Sequence, residues 1–196
     1  MRQWAAHELM ETTELLRKLT ADIEFHAFCA EMTSDHDLQG ILRRHIQTMD
    51  HTYHQAVNLL HNKGADLTTT RIHQVHGQHH PHMAQQPQQM MPAPNTNATR
   101  KMSDLTISTL ILNSHKAGSM LGMLWANECV DPDIRSLHVL SANNCQQMAY
   151  EIWQYMNAKG YYEAPVMPAE TARTMTRAFQ PTAGANPAYT GVYQMM

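Results

Sequence analysis

Apolar residues in the first third of the chain recur in steps of three, four and seven. From Trp4 to about Met32 they fall at Leu9, Leu16, Leu19, Ile23, Ala27 and Ala30, a spacing that gathers them on one face of an α-helix. No glycine or proline interrupts the run. Thr33, Ser34 and Asp35 then supply turn and N-cap chemistry, and a second stripe follows through Leu38, Leu42, Met49, Ala56 and Leu60. Gly64, after Lys63, is a natural helix stop. Residues 4–64 are therefore expected to form a helical hairpin.

Residues 101–160 repeat the plan. Leu105, Leu112, Met123 and Ala126 lie on one helical stripe, and Ile134, Leu137, Cys145, Met148 and Ile152 on another, with Asp131-Pro132 at the turn and Lys159-Gly160 at the end. An ungapped shift of 96 positions pairs Leu9 with Leu105, Leu16 with Leu112, Ala30 with Ala126, Asp35 with Asp131, and Lys63-Gly64 with Lys159-Gly160. The pattern reads as a duplicated hairpin. Each hairpin alone leaves an apolar face in water, so the expected fold is all-α, with both hairpins packed as one antiparallel four-helix bundle. Residues 65–100 are long enough to cross from one end to the other, the ferritin-like arrangement; a linker that loops back would give an up-down-up-down bundle instead.

The segment 65–100 is rich in His, Gln, Met and Pro and is expected to have no long helix. The tail, 161–196, is interrupted by proline and glycine, with a short helix expected around Ala169 to Ala178. Its aromatics Phe179, Tyr189 and Tyr193 are candidate anchors on neighbouring subunits.

Composition narrows the function. A chain of 196 residues with 43% hydrophobic content can build a core without metals or disulfides. Its net charge is -3 and its 14 Lys+Arg form no patch, so nucleic acid is not an expected partner. Asn113, Ser114, His115 and Lys116 interrupt the most apolar helix, which argues against membrane insertion. His7, Glu8, Glu11 and Glu14 stand where a signal peptide needs an apolar run, so cytosolic synthesis without a signal peptide is expected. The three cysteines have no CxxC spacing and signal neither a disulfide framework nor a Cys-type zinc site. Cys29 and Cys145 read as core residues and Cys129, at a helix end, as exposed.

A bundle of this kind raises the question of a metal centre. A di-iron site needs inward carboxylates and a Glu-x-x-His from each of two helices. The chain contains no Glu-x-x-His, and the third helix has carboxylates only at its ends, Asp104 and Glu128. His45 and His115 fall on apolar stripes, with His26 and His138 near the stripe borders. Taken singly, such residues read as hydrogen-bonded core histidines; a zinc or copper site between helices is the rival reading. His51, His54 and His61 read as a solvated face. His73, His76, His79, His80 and His82 are the densest potential ligands, though the same composition describes a polar spacer. No cofactor is therefore expected. The alternative is a ferritin-like protein binding zinc, copper or iron through His45, His115 and the linker histidines. No nucleophile motif or phosphate-cradling loop argues for an enzyme.

Ser103 to Tyr162 resembles the Coat F family of bacterial spore coat proteins. The resemblance rests on the run from Asp104 through Leu112, the turn Asp131-Pro132-Asp133-Ile134-Arg135, and the ending Ile152-Trp153-Gln154-Tyr155-Met156-Asn157-Ala158-Lys159-Gly160-Tyr161-Tyr162. It implies a ferritin-like helical fold and a non-enzymatic, structural place in the endospore coat after synthesis in the mother cell. Other spore coat proteins and further copies of the chain would be its partners. The family often has His-Glu where this chain has Tyr150-Glu151, which weakens a metal role for that helix. The linker lies outside the family pattern.

Overall fold

The computed structural model describes residues 4–62, 64–67, 83–84 and 101–180. Four long helices dominate it: α1 (Ala6–Met32), α2 (His36–Leu60), α3 (Asp104–Glu128) and α4 (Pro132–Ala158). A short helix α5 (Ala169–Arg177) follows, with no buried residue. The two-residue strands β1 (Met83–Ala84) and β2 (Ala164–Pro165) pair in parallel, Met83 opposite Ala164.

Local chemistry sets the helix ends. The Asp35 carboxylate accepts from the backbone N–H groups of Asp37 at 2.9 Å and Leu38 at 3.2 Å, capping α2. Asp131 caps α4 identically, accepting from Asp133 at 2.9 Å and Ile134 at 3.2 Å, and Pro132 supplies a first-turn residue whose missing N–H needs no partner. Just past the cap of α4, Gly160 has φ +71°, a left-handed conformation that ends a helix and that a Cβ would strain, whereas α2 stops at Leu60, earlier than expected, with Asn62 at φ 56° in the corresponding place and Gly64 two residues further on. The Tyr161 N–H closes α4 by donating to the Met156 carbonyl at 2.8 Å.

Two further contacts dock one hairpin onto the other. Glu8, in the first turn of α1, accepts from the backbone N–H groups of Val130 and Asp131 in the α3–α4 turn. In the opposite sense, Thr33 in the α1–α2 turn donates to Asp104, the first residue of α3, at 2.6 Å. The 96-residue shift that relates the hairpins in sequence carries Glu8 onto Asp104. These contacts put the start of α1 beside the end of α3, and the end of α1 beside the start of α3. Leu59, near the end of α2, packs with Cys129 and Ile134 at the α3–α4 turn. Helix α2 thus stops at the end opposite to where α3 begins, and the two run parallel.

The buried interior divides into two apolar clusters. Near the α1–α2 turn lie Cys29, Leu38, Leu42, Ile107, Ile111, Leu112, Ile152 and Met156, among others. Toward the α3–α4 turn lie Leu15, Leu19, Met49, Leu59, Ile134, Leu137, Cys145 and Met148. The inward stripes of α2 and α4 are the ones expected from sequence, except that Leu59 rather than Leu60 is fully buried. Those of α1 and α3 are inward only in part. Leu9, Ala27 and Met123 face outward, and the buried rows are Glu8, Thr12, Leu15, Leu19, His26, Cys29 and Ala30 on α1, with Ile107, Ser108, Ile111, Leu112, His115, Gly118, Gly122 and Ala126 on α3. Leu19, Ala30, Leu112 and Ala126 of the expected stripes are buried, but small and polar residues join them because the polar groups find partners, which hydropathy does not register.

Cys129 is also buried rather than exposed. Its thiol lies 3.3 Å from the Trp125 carbonyl, and burial, reinforced by Glu8 and Glu11, pushes its pKa up to about 11. Cys29 and Cys145 are buried as expected. Among the described residues, no helix is long and apolar enough to cross a membrane.

Candidate functional site

Between the two apolar clusters lies a polar layer. His26 of α1, His45 of α2 and His115 of α3 reach into it, each no more than 1% exposed, and their ligand-capable nitrogens lie within 4.8 Å of one another. His115 Nε2 is 3.1 Å from His26 Nε2 and 3.1 Å from His45 Nδ1. The ring centroids are 4.9 to 5.7 Å apart. Helix α4 contributes Glu151, also buried.

The outer partners decide which nitrogens carry protons. His26 Nδ1 lies 2.6 Å from the Asp22 carbonyl; a carbonyl only accepts, so Nδ1 holds the hydrogen and Nε2 presents a lone pair. His45 Nε2 lies 3.1 Å from a Glu151 carboxylate oxygen, so Nε2 donates and Nδ1 presents a lone pair. Arg44 binds the other Glu151 oxygen, with Nε at 3.2 Å. Burial works to raise the Glu151 carboxyl, but the hydrogen bonds from His45 and Arg44 outweigh it and hold the group below its ordinary pKa. Both lone pairs point at His115 Nε2. Its Nδ1 is buried without a hydrogen-bond partner among the described residues.

Burial also keeps the rings neutral. Desolvation, then His45, lowers the His26 pKa to about 4. Desolvation lowers His45 against the pull of Glu151. His115, desolvated and facing both other rings, lies well below the usual value. Three uncharged imidazoles therefore meet at one point, with no carboxylate or thiolate in the converging set.

His45 and His115, the bundle histidines singled out from sequence, are thus brought together, joined by His26 from the stripe border. Reading the stripes one helix at a time hid this convergence. The signal was the hairpin register: with the turn at residues 33 to 35, positions 26 and 45 fall at similar depth. Helix α4 places an inward carboxylate, Glu151, at this depth, and it serves His45 and not the centre. His51, His54 and His61 are exposed, as expected of a solvated face. His73, His76, His79, His80 and His82 lie outside the described residues, as do Tyr189 and Tyr193. Phe179 is 83% exposed at the end of the described tail.

His138 is buried elsewhere, near the α3–α4 turn, with Nε2 3.4 Å from the Thr12 hydroxyl and its ring 5.8 Å from that of Trp125. Desolvation lowers its pKa to about 4. A histidine held neutral in the fold must be charged against that burial as pH drops. Its destabilising contribution is absent above about pH 6.5, grows as pH falls, and levels off near pH 4. The loss attributable to His138 over this window is expected to be about 2–3 kcal/mol. Urea denaturation at pH 7.5 and pH 4.5 measures it: H138Q should show a pH-dependent loss smaller than the native chain's by about that amount. An unchanged difference would remove His138 as the source.

Comparison with known proteins bears on the second hairpin most directly. Residues 103–165 match the Coat F domain. Over 181 residues, 92% of this chain and 82% of the relative, the sequence is 22% identical to the spore coat protein F-like protein YhcQ of Bacillus subtilis (strain 168). No solved structure matches the chain. The matched segment begins at the Ser103 cap of α3, includes both helices of the second hairpin and ends at β2. Helices α3 and α4 with their flanking residues are therefore the part of the chain that is similar to the Coat F domain.

Proposed function

We propose that the protein is a structural component of the bacterial endospore coat, a ferritin-like helical block that associates with copies of itself and with other coat proteins. The Coat F match in the second hairpin carries this reading, and similarity to a spore coat protein F-like relative over most of the chain supports it. The parallel run of α2 and α3, with both short turns joining antiparallel neighbours, supports the ferritin-like reading, since that order is expected where one long crossover joins two hairpins.

The surface supports association. Helix α3 turns Leu110, Met120, Leu121, Met123 and Leu124 outward, Met120 being 75% and Leu124 56% exposed. A cluster of large apolar side chains on one exposed helix face is characteristic of an interaction surface. The exposed tail with Phe179 adds an aromatic anchor.

In a sporulating host, a fluorescent fusion is expected to gather on the forespore surface. Uniform mother-cell fluorescence would count against the coat reading. The double substitution M120E/L124E should leave the helical circular-dichroism signal intact and shift stability by no more than about 0.5 kcal/mol, while lowering the coat-assembled fraction several-fold. Unchanged assembly would remove α3 as the contacting face.

A further inference from the structure

We propose that His26, His45 and His115 form a site for one zinc-type transition-metal cation, which joins the first hairpin to the second across the middle of the core. The inference is independent of the coat reading and concerns the interior, not the surface.

Proton placement carries the argument. With Nδ1 of His26 and Nε2 of His45 committed to outward partners, their other nitrogens present lone pairs to His115 Nε2 at 3.1 Å each. A neutral His115 has a single N–H. Placed on Nε2, that hydrogen serves two acceptors at once and leaves Nδ1 without a donor. Placed on Nδ1, it has no acceptor, and three lone pairs converge on one point. Hydrogen bonding within the cluster therefore cannot satisfy all three rings, in a place where unpaired polar groups are costly. A cation resolves the convergence: metal–nitrogen bonds of about 2.0–2.1 Å in tetrahedral geometry place ligand nitrogens roughly 3.3 Å apart, close to the two separations of 3.1 Å.

The surroundings fit a metal-binding histidine set. Two of the three rings have the outer hydrogen-bond partner that ligating histidines ordinarily keep, a backbone carbonyl for His26 and a carboxylate for His45. The donors are all neutral imidazoles, which suit zinc or copper; magnesium and calcium call for oxygen. A di-iron pair does not fit, because no carboxylate belongs to the converging set. The site also spans both hairpins, two ligands from the first and one from the second. Metal binding here is therefore coupled to docking of the hairpins.

The test uses the full chain after metal removal by chelation, with zinc(II) and cobalt(II) as probes. The native chain is expected to bind one zinc tightly, to show tetrahedral cobalt absorption on substitution, and to gain roughly 5–10 °C in Tm at a hundredfold excess over Kd. X-ray absorption at the zinc edge should give three imidazole ligands at about 2.0–2.1 Å. A variant with the linker residues His73, His76, His79, His80 and His82 all changed to Asn should keep this site, while H115N should weaken zinc binding at least a hundredfold. The proposal is overturned if the native chain shows no tetrahedral cobalt spectrum and no rise in Tm, or if the linker variant loses the tight zinc. The native-chain spectroscopy decides the matter even if H115N fails to fold.

Discussion

Replacing Gly122 with valine is expected to destabilise the fold by about 2–4 kcal/mol. A Cβ at this position would lie 3.0 Å from the Cβ of Ala142 and 3.1 Å from its Cα and backbone nitrogen. The obstacle is largely main chain, so a rotamer change cannot relieve it and α3 must move away from α4. That pair forms the most extensive helix contact in the molecule. Gly40 provides the contrast. A Cβ there meets only the Arg44 guanidinium at 3.5 Å, an ordinary contact, and Gly40→Ala in the interior of α2 should stabilise by about 0.5–1 kcal/mol through helix propensity alone. Urea denaturation of both variants checks the pair. Equal effects would mean that propensity, not helix approach, governs Gly122.

Glu8→Ala is expected to cost about 2–4 kcal/mol, a large effect for one side chain in the first turn of a helix, because this carboxylate is buried. Its carboxylate accepts from the Ala5 N–H at 3.0 Å, from Val130 at 3.0 Å and from Asp131. Removing it leaves three backbone donors without this acceptor, two of them in the turn of the other hairpin. Amide hydrogen exchange separates this role from a general loss of helix: protection of the Val130 and Asp131 amides should fall well beyond the change in global stability. If both amides keep their protection, the cross-hairpin bonds do not matter in solution.

The sequence made the four long helices legible because they are marked twice, by apolar period and by explicit stops. Asp35, Asp131 and Pro132 begin helices where capping chemistry places them, and Gly160 closes α4 in the left-handed conformation that glycine permits. The inward faces of α1 and α3 were less legible. Glu8, Thr12, His26, Ser108 and His115 are buried although each is polar, and hydropathy cannot register the partners that make this possible. Leu9 and Met123 were assigned inward for the same reason. The histidine layer required one more step, combining three helices at a common depth, and its Glu151 support comes from a fourth. Single-helix periodicity contains none of that information, whereas the short turns constrain the depth within each hairpin.

The reciprocal contacts of Glu8 and Asp104 also bear on the order in which the chain folds. Each hairpin closes over a turn of a few residues, but the Thr33–Asp104 bond joins positions 71 apart, and the Glu8–Val130 bond joins positions 122 apart. Loop-closure entropy favours the local hairpins first and their docking last. Until docking, each hairpin presents the apolar face that the other is shaped to cover, and the same face on a neighbouring chain offers an equivalent match. Folding and exchange between chains then compete for one intermediate, and the outcome depends on concentration.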